Sequence, residues 1–242
     1  EGPVWVHRGG YLLFSDIPHN RINKWQPGEG LSVFMERSGY DGAQPFRGKE
    51  PGTNGLALDA HGRLVMCEHG NRRISRLEKD GRKIVLADRF DGRRFNSPND
   101  LVFKSNGDLY FTDPPYGLPK RFDDPGRELD WCGVYRLSPE GRVTLLTKEM
   151  TRPNGIGFSP DEKTLYVANS DAEKKIWMKY DVAADGKISN GAVFYDVTAE
   201  AADGLPDGMK VDQSGNVYGT GPGGVWVFSP AGEHLGTISP PE

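Results

Sequence analysis

The sequence predicts an all-β protein built from four-stranded antiparallel blades, the architecture of a β-propeller. Three observations predict it. Apolar residues recur at a spacing of two, and no segment sustains a helical i, i+3, i+4 stripe. The 32 glycines and 18 prolines are spread along the chain, as expected for many short strands joined by turns. One segment layout recurs five times, at a spacing typical of propeller blades.

Each repeat begins with a polar residue, continues through a short strand, a tight turn and a second strand, and adds a third and usually a fourth strand. The first turns, DAHGR, KSNGD, SPDEK and DQSGN, carry the residues that hairpins require. The first positions are Glu1, Asn54, Asn99, Asn154 and Asp207, at spacings of 53, 45, 55 and 53 residues. We therefore expect a single propeller domain over residues 1–242.

Composition argues against several kinds of partner. The net charge is −4 with no basic block, so we expect no nucleic-acid partner. No apolar run approaches the length of a bilayer span, so we expect no membrane partner. Cys67 and Cys132 form no disulfide framework and no C-x-x-C motif, which indicates two free thiols. We expect a soluble protein of the cytoplasm or the periplasm, and the oligomeric state stays open.

The five first positions predict a cation site. The first strand of each propeller blade lines the central channel, so equivalent positions form a ring. All five residues carry a side-chain oxygen, which suits calcium first and magnesium or manganese next. Zinc is a weaker possibility, since it recruits nitrogen or sulfur. The alternative interpretation is that the Asn-Gly and Asp-Gly pairs are ordinary turn dipeptides. That interpretation does not explain Glu1 or the pair Asn99-Asp100.

The second strands should return to the face where the first strands begin. Their polar last residues are therefore expected near the ring: Asp16, Glu68, Asp113 and Asn169. A long loop then follows in the third repeat, from Pro114 to Gly133, and is expected to form a lid or substrate wall or, alternatively, a solvated excursion. The candidate substrate-binding side chains here are Asp113, Tyr116, Arg121, Trp131 and His69; a surface position is the alternative for His69.

Four motifs in order, EGPVW, SPNDLVF, RPNGIGFSPD and LPDGMKVDQSGNVY, resemble the gluconolactonase / senescence marker protein (regucalcin) family. The similarity covers essentially the whole chain and is strongest to the bacterial gluconolactonases. It implies a six-bladed propeller with one divalent metal, usually calcium, that hydrolyses sugar lactones. It also implies that the metal ligands are Glu1, Asn99, Asn154 and Asp207. Asn54 would then border the substrate.

The sequence departs from the family pattern in two respects. Regucalcin-type sequences carry a substrate-holding arginine two residues before the third-blade asparagine, where this chain has Ser97. Five repeats are found instead of six, and the chain runs from its first ligand to ISPPE. We therefore expect a trimmed propeller that lacks its last blade and the N-terminal closing strand, with two exposed sheet edges.

For lactone hydrolysis, the candidate catalytic residues are Asp207, Asn99 and Asp100. Asp207 is the expected base for water, with Glu1 as second choice. Asp100 is expected to orient Asn99 or, alternatively, to help hold a second calcium. Two other functions remain open: a non-catalytic binding platform around a structural calcium, and a phosphotriesterase or aryl esterase on the same metal.

Overall fold

The computed structural model describes residues 1–239, and these residues are all-β apart from one short 3-10 helix, Arg121–Asp123. Five four-stranded antiparallel sheets follow one another, each a meander in which every strand pairs with the next. The predicted fold class, four-stranded blades of the β-propeller type, is confirmed. The expectation drawn from ISPPE falls partly on residues 240–242, which lie outside the described range. No helix within residues 1–239 is long and apolar enough to cross a membrane.

The strands of the blades have the following bounds. Blade 1 comprises β1 (Val4–Val6), β2 (Tyr11–Asp16), β3 (Arg21–Gln26) and β4 (Gly30–Glu36). Blade 2 comprises β5 (Thr53–Leu58), β6 (Leu64–Glu68), β7 (Arg73–Leu77) and β8 (Lys83–Ala87), and a two-stranded ribbon follows, β9 (Arg89–Phe90) and β10 (Arg93–Arg94). Blade 3 comprises β11 (Leu101–Phe103), β12 (Leu109–Asp113), β13 (Gly133–Leu137) and β14 (Val143–Thr147). Blade 4 comprises β15 (Pro153–Phe158), β16 (Thr164–Asp171), β17 (Lys174–Val182) and β18 (Ile188–Asp196). Blade 5 comprises β19 (Met209–Val211), β20 (Val217–Gly221), β21 (Gly224–Phe228) and β22 (His234–Ile238).

The tight turns between first and second strands form as the sequence predicts. In blade 2, Asp59 accepts the backbone N–H groups of His61 and Arg63, each at 2.9 Å, and Gly62 has a φ of +74°. Asp212 receives the equivalent pair of bonds in blade 5. A short acidic side chain thus closes the turn, and glycine supplies the left-handed conformation that other residues rarely adopt.

The chain divides into two compact units, Glu1–Leu145 and Leu146–Glu242. In the first unit the apolar cores combine side chains of consecutive blades. Phe111 and Tyr135 of blade 3 stack with ring centroids 5.3 Å apart, in a cluster that includes Val65 and Ile74 of blade 2. The alternating strand pattern produces these cores, because every second side chain points to the same sheet face. Burial of these rings therefore holds blade 2 against blade 3.

The second unit contains a separate core between blades 4 and 5. Trp177 is fully buried, and its ring lies 4.9 Å from the ring of Phe228. Met209, at the start of β19, belongs to the same cluster. Since the first strand of blade 5 contributes to this core, the start of that strand is held by packing on its neighbouring blade.

Candidate active site

The first position of blade 2, Asn54, lies at a β-bulge. Thr53 pairs with Glu68, but the next two residues, Asn54 and Gly55, together face the single residue Cys67. One extra residue on one strand bends that strand and changes the direction of the side chain at the irregularity. Asn54 is therefore a strand residue at a bulge and does not belong to a turn.

Blade 3 has the equivalent irregularity immediately before β11. The backbone N–H of Asn99 donates to the carbonyl of Thr112 at 2.8 Å, while the N–H of Thr112 donates to the carbonyl of Asp100 at 3.1 Å. Two residues thus face one partner, as in blade 2. The polar pair Asn99-Asp100 occupies the bulge, which explains why it directly precedes an apolar strand.

The second unit repeats the arrangement in both of its blades. In blade 4 the extra residue falls at Asn154 and Gly155. In blade 5 the N–H of Asp207 donates to the carbonyl of Thr220, and the N–H of Thr220 donates to that of Gly208, both at 3.0 Å. Asn154 is buried and Asp207 is half-buried. The repeat position found in the sequence is therefore a bulge in each of these blades.

Two of the glycines that follow the first positions, Gly55 and Gly155, are required by close packing between blades. A Cβ on Gly55 would lie 2.7 Å from the carbonyl oxygen of Asn99, and a Cβ on Gly155 would lie 2.1 Å from that of Asp207. Gly55 also donates its N–H to the Asn99 carbonyl at 2.7 Å. A side chain there would collide with backbone, which cannot move aside as a flexible side chain can. The turn interpretation of these Asn-Gly pairs is therefore wrong.

Glu1 occupies the first position of blade 1. Its carbonyl accepts the N–H of Ser15 at 2.8 Å, and its backbone nitrogen bonds to the Ser15 carbonyl at 3.2 Å. The Glu1 residue is exposed. Gly2 follows with a φ of +55°, and a Cβ on it would lie 2.3 Å from the carbonyl oxygen of Asn54. Blade 1 therefore meets blade 2 through the same kind of glycine contact.

Asn99 carries an unsatisfied buried oxygen. The residue is 1% exposed, and its Oδ1 has no hydrogen-bond partner within the described part of the chain. Its Nδ2 lies 3.5 Å from Nε2 of His69. A buried amide oxygen without a partner costs about 1–3 kcal/mol, so it indicates a position built for a ligand.

His69 is fully buried and links Asn99 to two charged residues. Its Nδ1 lies 3.3 Å from Oε2 of Glu50, although the contact is not a hydrogen bond. The guanidinium of Arg121 donates to Oε1 of Glu50 at 3.1 Å. Burial acts to raise the pKa of Glu50, but the neighbouring His69 and Arg121 outweigh it and hold that pKa below its ordinary value. Glu50 therefore stands in this cluster as a carboxylate.

Asp100 lies beside Asn99 and is also buried. Its Oδ1 accepts the N–H of Leu101 at 2.9 Å, and its own N–H bonds to Oγ1 of Thr112 at 3.2 Å. The Asp100 side chain also approaches Gly55 of blade 2. These contacts stabilise the start of β11, and the predicted role of Asp100 in orienting Asn99 stays a prediction.

Asp113, a candidate substrate contact, lies at the end of β12 and is fully buried. Its Oδ2 accepts the N–H of Asn96 and its Oδ1 that of Ser97, both at 2.8 Å. Burial raises the pKa of Asp113 to about 7, although these two donors and the charges of Arg72 and Arg127 act in the opposite direction. The carboxyl group therefore fixes the backbone that leads to Asn99, and it offers no exposed surface to a substrate.

The long loop after β12 is anchored on Ser97. The Ser97 hydroxyl donates to the carbonyl of Pro114 at 2.6 Å and accepts the N–H of Gly117 at 2.8 Å. A Cβ on Gly117 would lie 2.6 Å from Cβ of His69, so the loop passes directly over that histidine. Ser97 thus serves to hold the loop.

The three loop side chains assigned to substrate binding have different environments. Arg121 is exposed, and its guanidinium lies 5.7 Å from the ring centroid of the half-buried Tyr116. Trp131 packs against the core of blades 2 and 3 and donates its indole N–H to the Tyr135 hydroxyl at 3.0 Å. Tyr116 and Arg121 therefore lie at a surface where a ligand could reach them, while Trp131 also supports the fold.

The other polar residues at the ends of second strands bind their own hairpins. Asp16 accepts a hydrogen bond from His19 at 2.8 Å, and the amide oxygen of Asn169 accepts the N–H of Arg152 at 2.9 Å. Glu68 is fully buried and pairs with Arg73 at 2.8 Å. These residues stabilise the loops on the predicted face, and none of their contacts indicates a ligand.

Sequence reasoning missed two features of this site. Glu50 lies in a loop with no recognisable motif, and only the contact with His69 identifies it. The bulges have a partial signal in the sequence, namely the glycine that follows four of the five first positions. Within residues 1–239 no three His, Cys, Asp or Glu side chains form a metal cluster. This search does not bear on the predicted ligands, because only two of them, Glu1 and Asp207, are residues of these four types.

The whole chain, residues 1–242, matches the family model described as the SMP-30/Gluconolactonase/LRE-like region. The chain belongs to this family. The family resemblance seen in the sequence motifs is therefore confirmed. A gluconolactonase of Zymomonas mobilis is 43% identical over 248 residues, which cover 99% of this chain and 69% of that protein.

Solved structures of family members agree with the fold. A gluconolactonase of Xanthomonas campestris superimposes with a TM-score of 0.84 at 35% identity, covering 100% of this chain and 76% of that one. A regucalcin of Agrobacterium tumefaciens, described as a calcium-binding protein, has a TM-score of 0.75 at 20% identity and covers 99% of this chain and 73% of its own. The chain thus spans about two thirds to three quarters of the length of these relatives.

Proposed function

We propose that this chain hydrolyses a sugar lactone in a calcium-dependent reaction. The observation that carries the proposal is the buried Oδ1 of Asn99, which has no hydrogen-bond partner within residues 1–239 and lies at the bulge where the repeat predicts a cation ligand. Membership of the lactonase family and the gluconolactonase of Zymomonas mobilis support the substrate class. The calcium-binding regucalcin supports the choice of metal.

Four side chains are proposed as ligands, each because of its position in its own blade: Glu1, Asn99, Asn154 and Asp207. The available donors fit a hard cation, because they are all carboxylate or amide oxygens. The unsatisfied oxygen of Asn99 is the structural observation in favour of this fit. When bound, calcium supplies a Lewis acid that polarises the lactone carbonyl and stabilises its oxyanion. Asn54 is proposed to contact the substrate, as are Tyr116 and Arg121.

Asp207 is proposed to act as the general base. Its carboxylate accepts a proton from water while the water oxygen bonds to the carbonyl carbon of the lactone. The ring C–O bond then breaks, and the proton returns to the oxygen that leaves as the new hydroxyl. The product is the open-chain hydroxy acid, and the carboxylate of Asp207 is regenerated. Removing such a base costs about 10²–10⁴ in rate.

The proposal is tested with a panel of sugar lactones, assayed with calcium and with a chelator. Hydrolysis that disappears on chelation and returns with calcium is the expected result. Binding of calcium without hydrolysis of any lactone would favour a binding platform. Faster turnover of phosphotriesters or aryl esters than of lactones would favour the esterase alternative. Either outcome contradicts the proposal.

The base is tested by Asp207→Asn, which keeps the shape of the side chain but removes its basicity. We expect calcium binding to persist and kcat to fall by about 10²-fold or more. The matched control is Asp185→Asn in an exposed hairpin turn of blade 4, which should leave turnover unchanged. Unchanged turnover in Asp207→Asn would exclude Asp207 as the base.

A further inference from the structure

We propose that His69 is a positioning residue that orients the amide of Asn99 so that its oxygen faces a bound cation. The inference rests on the cation site of the proposed function and assigns His69 a role through Asn99. Because the His69 ring is fully buried beneath the loop at Gly117, it acts on a neighbouring side chain and not on the substrate.

The direction of the contact follows from the chemistry of the two groups. Nδ2 of Asn99 carries only hydrogens to donate, so Nε2 of His69, 3.5 Å away, must accept. The ring proton of a neutral His69 then lies on Nδ1, which faces Oε2 of Glu50 at 3.3 Å. Arg121 in turn holds the other oxygen of Glu50 at 3.1 Å. The negative charge of Glu50 therefore favours the tautomer with its proton on Nδ1, which leaves Nε2 to receive the Asn99 amide.

The consequence is a defined orientation of the Asn99 side chain. With Nδ2 directed at His69, Oδ1 points away from the histidine and has no partner within the described residues. A flipped amide would instead present two N–H donors to a cation, which would repel it. Partners that orient a ligand in this way typically change metal affinity by about 10–100-fold when they are removed.

The His69 backbone is fixed on two sides, so the ring cannot easily turn away. Its N–H donates to the carbonyl of Gly52 at 3.1 Å, and its carbonyl accepts the N–H of Arg72 at 3.1 Å. Gly117 packs against its Cβ. This confinement gives the orienting contact a low entropic cost, since little side-chain freedom remains to be lost on binding.

The test measures calcium affinity by calorimetry, without lactone, on the full chain. His69→Leu replaces the imidazole with an apolar side chain of similar size that has no hydrogen-bond acceptor. We expect calcium affinity to fall about 10-fold or more. His69→Gln can present its Oε1 to the Asn99 amide, and we expect it to recover part of the lost affinity. The matched control is His61→Leu in the exposed turn of blade 2, which should bind calcium like the unchanged protein.

Three outcomes would overturn the inference: no calcium binding by the unchanged protein, unchanged affinity in His69→Leu, or equal loss in the Leu and Gln variants. If His69→Leu does not fold, Glu50→Gln decides, because it weakens the selection of the tautomer. A severalfold fall in affinity then supports the inference, and no change overturns it. Lactone turnover is measured separately, so a protein that binds calcium through this arrangement but hydrolyses nothing would contradict only the proposed function.

Discussion

At the scale of single residues, most buried polar atoms of the site have hydrogen-bond partners and a few do not. Asp113 has both oxygens occupied by backbone donors, whereas Oδ1 of Asn99 has no partner among the residues that the structure describes. The difference separates two roles that look alike in the sequence. A buried carboxyl group whose oxygens are all hydrogen-bonded fixes the backbone around it. A buried amide oxygen without a hydrogen bond can instead bind a ligand.

The buried carboxyl of Asp113 predicts a pH-dependent stability of the metal-free protein. The pKa of Asp113 is about 7, above the ordinary value for aspartate, because the fold favours the protonated carboxyl group. The stability gained from this protonation is complete below about pH 4 and is lost as the pH rises through 7. The contribution amounts to at most about 4 kcal/mol. In urea unfolding with a chelator present, Asp113→Asn should remove this decline. Parallel pH profiles for the two proteins would contradict the prediction.

At the scale of elements, the first strands of the blades are defined by their bulges and by glycines that permit neighbouring blades to approach. The residue after the first position is glycine in blades 1, 2, 4 and 5, and three of these four glycines meet a neighbouring backbone. Gly2, Gly55 and Gly155 do, whereas Gly208 has no described atom within 4 Å of its would-be Cβ. Gly155 and Gly208 therefore provide a matched comparison.

Gly155→Ala should destabilise the protein by about 2 kcal/mol or more, because the new methyl group collides with the carbonyl oxygen of Asp207. Gly208→Ala should change the free energy of unfolding by less than about 1 kcal/mol, since its surroundings are open. Chemical denaturation of both variants measures the difference. Equal effects would show that close packing does not explain the glycine at position 155.

At the scale of the whole molecule, each unit has cores between its own consecutive blades, and both thiols are buried. Cys67 is fully buried in β6, and Cys132 is buried at the end of the long loop. Burial raises the pKa of the Cys67 thiol well above its ordinary value, and the charges of Asp100 and Asp113 act in the same direction. The expectation of two buried free thiols is confirmed.

Both thiols should be inert in the folded protein. We expect reaction with a thiol reagent to be about 10³-fold slower than in denaturant, because the chain must first open. A reducing agent should leave the unfolding midpoint unchanged, since the two cysteines form no disulfide. Rapid modification of either thiol under native conditions would contradict the prediction. A midpoint that falls on reduction would contradict it as well.

The sequence alone was sufficient for the blade count, the strand order, the hairpin turns and the shared position of the candidate ligands. These features depend on short-range periodicity and on turn residues such as Asp59 and Asp212, whose effect is local. The family could be recognised from the sequence for the same reason, since its motifs surround the first positions of the repeats. Ring membership of Glu1, Asn54, Asn99, Asn154 and Asp207 remains a prediction of the repeat.

Only the tertiary structure decided what surrounds Asn99. The contact with His69 spans 30 residues, and that between Glu50 and Arg121 spans 71. No local pattern encodes such distances, because they depend on how two loops pack over one strand end. Likewise, the role of Ser97 is visible only once Gly117 lies against it. The sequence determined which residue types stand at the bulges, and packing determined which of their atoms are left available to a ligand.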